Sequence, residues 1–131
     1  MLILDISIWT IRNISVLKHL TNLDLSRNAI TGPLPPELGS LNQLIFLNLS
    51  HNKLTGTMPA EMSGLFNLRV LNLSYNILHG CLKSWIGALT HLQRIDLGYN
   101  QLEGSLPMEL TRLGGLEYLH VPHNQVFDTF Y

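Results

Sequence analysis

The chain has 131 residues, 46% of them hydrophobic and 13% charged, with a formal net charge of -1. That composition excludes a disordered chain, and eight Lys and Arg against nine Asp and Glu leave no basic run to neutralise phosphates, which argues against nucleic acid as a partner. Cys81 is the only cysteine, which excludes an internal disulfide framework and a cysteine zinc cluster.

In chain order, the first segment, MLILDISIW, lacks a basic n-region, carries Asp5 inside its apolar run and has no small-residue cleavage site, so it reads as folded structure rather than a signal peptide. LDISIWTI aligns with LDLSRNAI at an offset of 19 residues, with Trp9 in the place of an asparagine. Residues 1–19 are therefore expected to form a short, degenerate opening unit that caps the regular coils. From Leu20 the chain repeats regularly. Asn28, Asn52, Asn76, Asn100 and Asn124 stand 24 residues apart, and Leu20, Leu44, Leu68, Leu92 and Leu116 keep the same interval. Full units occupy 20–43, 44–67, 68–91 and 92–115, and a partial one 116–131, all within one expected domain, 1–131. No stretch approaches the roughly 20 apolar residues of a membrane-spanning helix.

Each unit opens with alternating apolar residues, as in Leu23 and Leu25, the pattern of a half-buried strand. A turn is predicted at Gly32, Gly56, Gly80 and Gly104, followed by an apolar residue and then by Pro35, Pro59 or Pro107. Two apolar residues three apart, such as Leu38 and Leu41, close the unit in one turn of 3₁₀ or α helix. No unit this short buries its leucines alone, so successive coils must stack, with parallel strands and a continuous apolar column. The recurrent asparagine is expected to form a ladder, its amide bonding backbone groups where the chain leaves the strand.

Units such as LTNLDLSRNAITGPLPPELGSLNQ and LIFLNLSHNKLTGTMPAEMSGLFN resemble the plant-type leucine-rich repeat of receptor-like kinases, receptor-like proteins and polygalacturonase-inhibiting proteins. The resemblance covers residues 20–126. It implies an α/β solenoid: a right-handed coil with a parallel β-sheet on a concave, ligand-facing side and short 3₁₀ or α turns on the convex side. It also implies an extracellular or cell-surface setting, a protein or peptide ligand and a co-receptor, in plant defence or developmental signalling, with inhibition of a secreted pathogen polygalacturonase as the alternative. Lys83 replaces the proline of the third unit and Trp85 takes the place of Glu37, Glu61 and Glu109, so local rearrangement of that coil is expected. Family ectodomains carry cysteine-paired caps and a signal peptide; their absence here makes the chain resemble a fragment of a larger receptor-like protein.

Because strand leucines point inward, the alternate positions face outward. They form three columns: Asp24, Asn48, Asn72, Asp96 and His120; Asn22, Phe46, Val70, Arg94 and Tyr118; and Arg27, His51, Tyr75, Tyr99 and His123. Exposure without a partner is the ordinary state of any one such residue. Tyr, Arg and His gathered on a single strip are nevertheless the residue types of binding hot spots, so this face is the candidate partner-binding surface. Strands about 4.8 Å apart give it a span of only about 25 Å, which suits a short peptide or weak binding. The columns are too irregular for the flat Thr or Asn rows of a structural or ice-binding array.

Asn13, Asn48 and Asn72 begin sequons that accept N-glycans in a chain entering the secretory pathway, although the LNLS motif generates the last two through repetition alone. The six histidines are scattered over different repeat positions and lack accompanying ligands with metal spacing, and no GxSxG or phosphate-cradling glycine motif occurs. The chain is therefore read as a binding module, not an enzyme, with no cofactor or metal. Cys81 is expected on an outer flank, partly exposed. Met1, Leu2, Leu4, Ile6, Phe127, Phe130 and Tyr131 must cover the two ends, or the chain self-associates through them.

Overall fold

The computed structural model describes residues 8–127. After a short helix α1 (Ile8–Ile14), strands β1 (Asn22–Asp24), β3 (Phe46–Asn48), β5 (Val70–Asn72), β7 (Arg94–Asp96) and β9 (Tyr118–His120) recur once per repeat and pair in parallel in that order. Their register is strict. Leu23, Leu47, Leu71, Ile95 and Leu119 lie side by side, as do the residues before and after them. The first four of these central residues are buried, and with Leu44, Leu49, Leu68, Leu73, Leu92 and Leu97 they form one apolar column. Fully burying a leucine contributes about 1.5–3 kcal/mol, so a column shared by every coil outweighs any single local preference.

The opposite side is built from 3₁₀ turns η1 (Pro36–Ser40), η2 (Ala60–Gly64), η3 (Ser84–Ala88) and η4 (Met108–Arg112). Pro35, Pro59 and Pro107 precede three of them with φ of -74°, -71° and -73°, close to the value the pyrrolidine ring imposes. Successive turns stack closely: a side chain on Gly39 would overlap the Glu61 carbonyl of the next coil, and one on Gly64 the Gly39 carbonyl.

The structure departs from the sequence-based expectations in three places. The opening segment is helical over Ile8–Ile14, while the part that aligns with β1 lies outside the described residues; Ile11 is fully buried and Ile14 packs on the core, so the helix covers the first coil. The expectation for Met1, Leu2, Leu4, Ile6, Phe130 and Tyr131 lies outside the described residues, whereas Phe127 is exposed. Second, the glycine turns belong to a second set of short parallel strands. β2 (Thr31–Pro33) pairs with β4 (Lys53–Thr55), and β8 (Gln101–Ser105) lies between β6 (His79–Gly80) and β10 (Gln125–Phe127). Gly32, Gly56, Gly80 and Gly104 have φ of 75° to 87°, a left-handed backbone that glycine adopts freely, so the chain turns its corner there while still pairing with its neighbours. Third, the coil with Lys83 and Trp85 is not rearranged. η3 keeps the five-residue length of the others; only the backbone at Lys83 relaxes, to φ -105°. Trp85 is buried, and its indole nitrogen has no hydrogen-bond partner among the described residues.

Candidate functional site

The strand register assembles two of the three expected columns as they were read from the sequence. Asn22, Phe46, Val70, Arg94 and Tyr118 form one row of laterally paired residues, and Asp24, Asn48, Asn72, Asp96 and His120 form the other. All ten are exposed or half-buried.

In the second row the side chains also serve the fold. Oδ1 of Asp24, Asn48, Asn72 and Asp96 accepts the backbone N–H two residues on, at 2.9–3.1 Å, and Ser50 and Ser74 donate their hydroxyls to Asn48 and Asn72 at 2.7 Å. These Asx turns end the first four strands of the sheet. They leave the second carboxylate oxygen or the amide nitrogen toward the outer face, as where Asn48 Nδ2 donates to Asp24 Oδ2 at 3.4 Å. The hydroxyl of Ser26, then its backbone N–H, hold the Asp24 carboxyl below the usual carboxylate pKa. At the other end of the row His120 Nδ1 lies 3.1 Å from Asp96 Oδ1, and the Tyr118 ring stacks loosely on His120 at 5.6 Å. Arg94 stands 4.9 Å over the Tyr118 ring, a cation–π contact. Arg94, Asp96, Tyr118 and His120 are thus one connected cluster.

The third column stands next to the ladder asparagines, beyond the strand ends. Arg27, His51, Tyr75, Tyr99 and His123 are not strand residues; each has φ of 52° to 56° in the turn just beyond the strand. The backbone N–H of the first four donates to a carbonyl of the next coil at 2.8–3.0 Å, and the residue after each is the ladder asparagine. Facing the same way at every coil, the rings from His51 to His123 stack at centroid separations of 4.2, 4.2 and 4.1 Å and interplanar angles of 10°, 9° and 19°. Their faces are taken up by one another, so their edges, with the tyrosine hydroxyls and imidazole nitrogens, meet solvent. The Tyr75 hydroxyl titrates above its ordinary value, chiefly through the neighbouring Tyr99 hydroxyl and then through desolvation.

The expected asparagine ladder is present. Asn52, Asn76, Asn100 and Asn124 each accept a backbone N–H from the preceding coil and donate to carbonyls of their own coil and the preceding one, while Asn28, among the described residues, reaches only Leu25 and Ser26. Asn13 lies exposed in α1, at the start of the solenoid. Cys81 is half-buried and lines a groove of about 580 Å³ with Thr57, Met58, Lys83 and Phe127. A second groove of about 480 Å³, framed by Thr21, Ile45, Asn67, Arg69 and His91, lies where the chain enters the strands and was not anticipated. The signal was available: Thr21, Ile45 and Arg69 each immediately precede a strand, at one repeat position. No cluster of three or more His, Cys, Asp or Glu placed to hold a metal occurs among the described residues, and no helix there is long and apolar enough to cross a membrane.

A family model described as leucine rich repeat matches residues 18–78 and 66–126. No curated protein matches the chain. Among solved structures, the plant peptide hormone receptor RGFR1, in complex with RGF2, is similar at 36% identity and a TM-score of 0.86 over 88% of this chain and 18% of that one. The Arabidopsis receptor kinase HAESA, in complex with the peptide hormone IDA and the co-receptor SERK1, gives 36% identity and a TM-score of 0.83 over 88% of this chain and 19% of that one. The leucine-rich repeat ectodomain of the receptor kinase SOBIR1 from Arabidopsis thaliana gives 29% and 0.83 over 89% and 64%. The chain therefore spans under a fifth of the two peptide-bound receptors.

Proposed function

We propose that this chain, which belongs to the leucine-rich repeat family in its plant-type form, is a recognition module that binds a peptide or protein across the exposed face of its five-stranded sheet. The observation that carries the reading is the connected cluster of Arg94, Asp96, Tyr118 and His120 beside the ring stack, on a face whose other strand positions, Phe46 apart, are polar or aliphatic. Arg and Tyr combine apolar area with hydrogen-bonding tips, the profile of a hot spot surrounded by weaker contacts. Two aspartates, Asp24 and Asp96, balance Arg27 and Arg94 on the face, so shape and hydrogen bonding, rather than net charge, select the ligand. The similar receptors solved with peptide hormones, one also with a co-receptor, support a role in receptor-type signalling in plant defence or development.

The test is a peptide-display selection against the immobilised protein, followed by affinity measurements on the selected peptides. Tyr118→Ala and Arg94→Ala should each weaken binding by about 30-fold, the equivalent of a hot-spot loss of about 2 kcal/mol. Met108→Ala, at an exposed position on the 3₁₀ side, should leave it unchanged. Peptides that bind all three variants as tightly as the parent would move the site off the strand face.

A further inference from the structure

The contact between Tyr75 and Tyr99 is unlike any other among the described residues. Two phenols from neighbouring coils stack at 4.2 Å with planes 9° apart, and they remain 42% and 36% exposed, so an oxidant reaches their edges. The outer face of Tyr75 is covered by His51 and that of Tyr99 by His123, and imidazole is far harder to oxidise to a radical than phenol, so radical–radical coupling favours the phenols. Each tyrosine therefore has one phenol against its face, the other. The backbone holds this arrangement: Tyr75 N–H donates to Gly98 at 2.9 Å and Asn76 N–H to Tyr99 at 3.2 Å. Tyr118, by contrast, packs against Arg94 and His120.

We propose that Tyr75 and Tyr99 are an oxidative modification site, where a haem peroxidase with hydrogen peroxide joins the two rings into an intramolecular dityrosine that staples adjacent coils. The peroxidase takes one electron from each phenol, and each phenol releases its hydroxyl proton. Spin density on the carbons ortho to oxygen lets the two Cε atoms form a bond, after which the hydrogen on each bonded carbon returns to its oxygen and both rings regain aromaticity. The two electrons and two protons reduce one hydrogen peroxide to two waters, so two tyrosines and one peroxide give one dityrosine and two waters. Holding the reacting groups within contact distance replaces a bimolecular encounter with an intramolecular one, which favours this pair over coupling between molecules. The staple also alters the candidate recognition face, because it pulls two stacked ring edges into one linked unit. Coupling requires only the paired rings and the oxidant, whether or not a ligand uses that face.

The experiment treats dilute protein with a haem peroxidase and limiting hydrogen peroxide, with the thiol of Cys81 blocked beforehand. Dityrosine fluorescence should appear in the monomer fraction, with a mass loss of two hydrogen atoms, and trypsin should yield residues 70–83 linked to residues 95–112. Tyr75→Phe and Tyr99→Phe keep the stacked ring and remove the phenol; each alone should abolish the intramolecular product, while a Tyr118→Phe, Tyr131→Phe double variant should retain it. Cross-linking confined to dimers, a link mapped to Tyr118 or Tyr131, persistence of the monomer product in either single variant, or no product at all would each overturn the proposal.

Discussion

Replacing Asn76 by alanine tests whether the asparagine ladder holds neighbouring coils together. Asn76 Oδ1 accepts the N–H of the buried Leu54 at 3.0 Å, and its Nδ2 donates to the carbonyls of Leu49, Leu73 and Ser74 at 3.0, 3.1 and 3.2 Å. Those carbonyls also accept from Asn52, Asn100 and the His51 N–H respectively, so the Leu54 N–H is the backbone group that depends fully on Asn76. An orphaned buried polar group costs about 1–3 kcal/mol, and since Asn76 is 9% exposed, some water enters and the low end applies. The expected loss is about 2 kcal/mol by urea denaturation, from one orphaned N–H and three weakened carbonyl contacts, with faster hydrogen exchange of the Leu54 amide. Asn28→Ala is the control: that residue is exposed and, among the described residues, donates only to Leu25 and Ser26, so its loss should be under about 1 kcal/mol. Asn76→Asp sharpens the test. A carboxylate among carbonyl oxygens favours its protonated form, so its folded pKa must rise above the ordinary value of about 3.9. The variant should therefore be least impaired in acid and lose stability as pH climbs above about 4. Equal losses for Asn28→Ala and Asn76→Ala, or a penalty in Asn76→Asp that does not change with pH, would refute the ladder's energetic role.

Two other outcomes rest on the same geometry. Gly39→Ala should lower stability by about 1–3 kcal/mol, because its methyl overlaps the Glu61 carbonyl, whereas Gly114→Ala meets nothing within 4 Å and should change the thermal midpoint little. The Asp24 carboxyl should titrate below 3.8 by NMR and move back toward that value in Ser26→Ala, because Ser26 supplies the leading cause of its shift. A depressed folded pKa means that its contribution to stability is present above the unfolded value and is lost as pH falls through the folded one; a titration at or above 3.8 in the parent would exclude the hydrogen bonds as its cause.

Much of the coil is legible in the sequence because leucine spacing and burial have one cause. Leu47, Leu71 and Ile95 face inward for the reason that they recur, and the outward columns follow by alternation. The opening segment shows where that logic stops. Ile11 aligns with Ile30 and both are fully buried, yet Ile11 sits in a helix. A short apolar pattern reports burial and leaves the backbone ambiguous, and Trp9 has no amide to hold an asparagine-type turn. The second sheet was hidden for a related reason. Its strands run two to five residues, and β2, β6 and β8 contain a left-handed glycine while β4 runs into one, a combination that reads as a turn until a stacked neighbour supplies the pairing. Lys83 misled in the opposite direction: three proline-led coils suggested that the proline was required, but the stacking of η3 between η2 and η4 holds the turn without it.

The third column presents a trade-off that the sequence alone does not reveal. Left-handed backbone costs a side-chain-bearing residue about 1–2 kcal/mol, and glycine would avoid that cost, yet none of the five positions is glycine. The inter-coil hydrogen bonds would survive such a change, because they use backbone atoms, so they do not account for the side chains. Ring stacking does: three successive pairs, each contributing about 0.5–1.5 kcal/mol, offset much of the strain at the four ring-bearing positions. Arg27, which ends the row without a ring, gains no such return. The stack thus holds its edges in fixed positions next to two columns already aligned by strand register. A ligand meeting this face finds its hydrogen-bonding groups ordered beforehand, so little of the binding energy is lost to immobilising them, which compensates for the small area that five strands present.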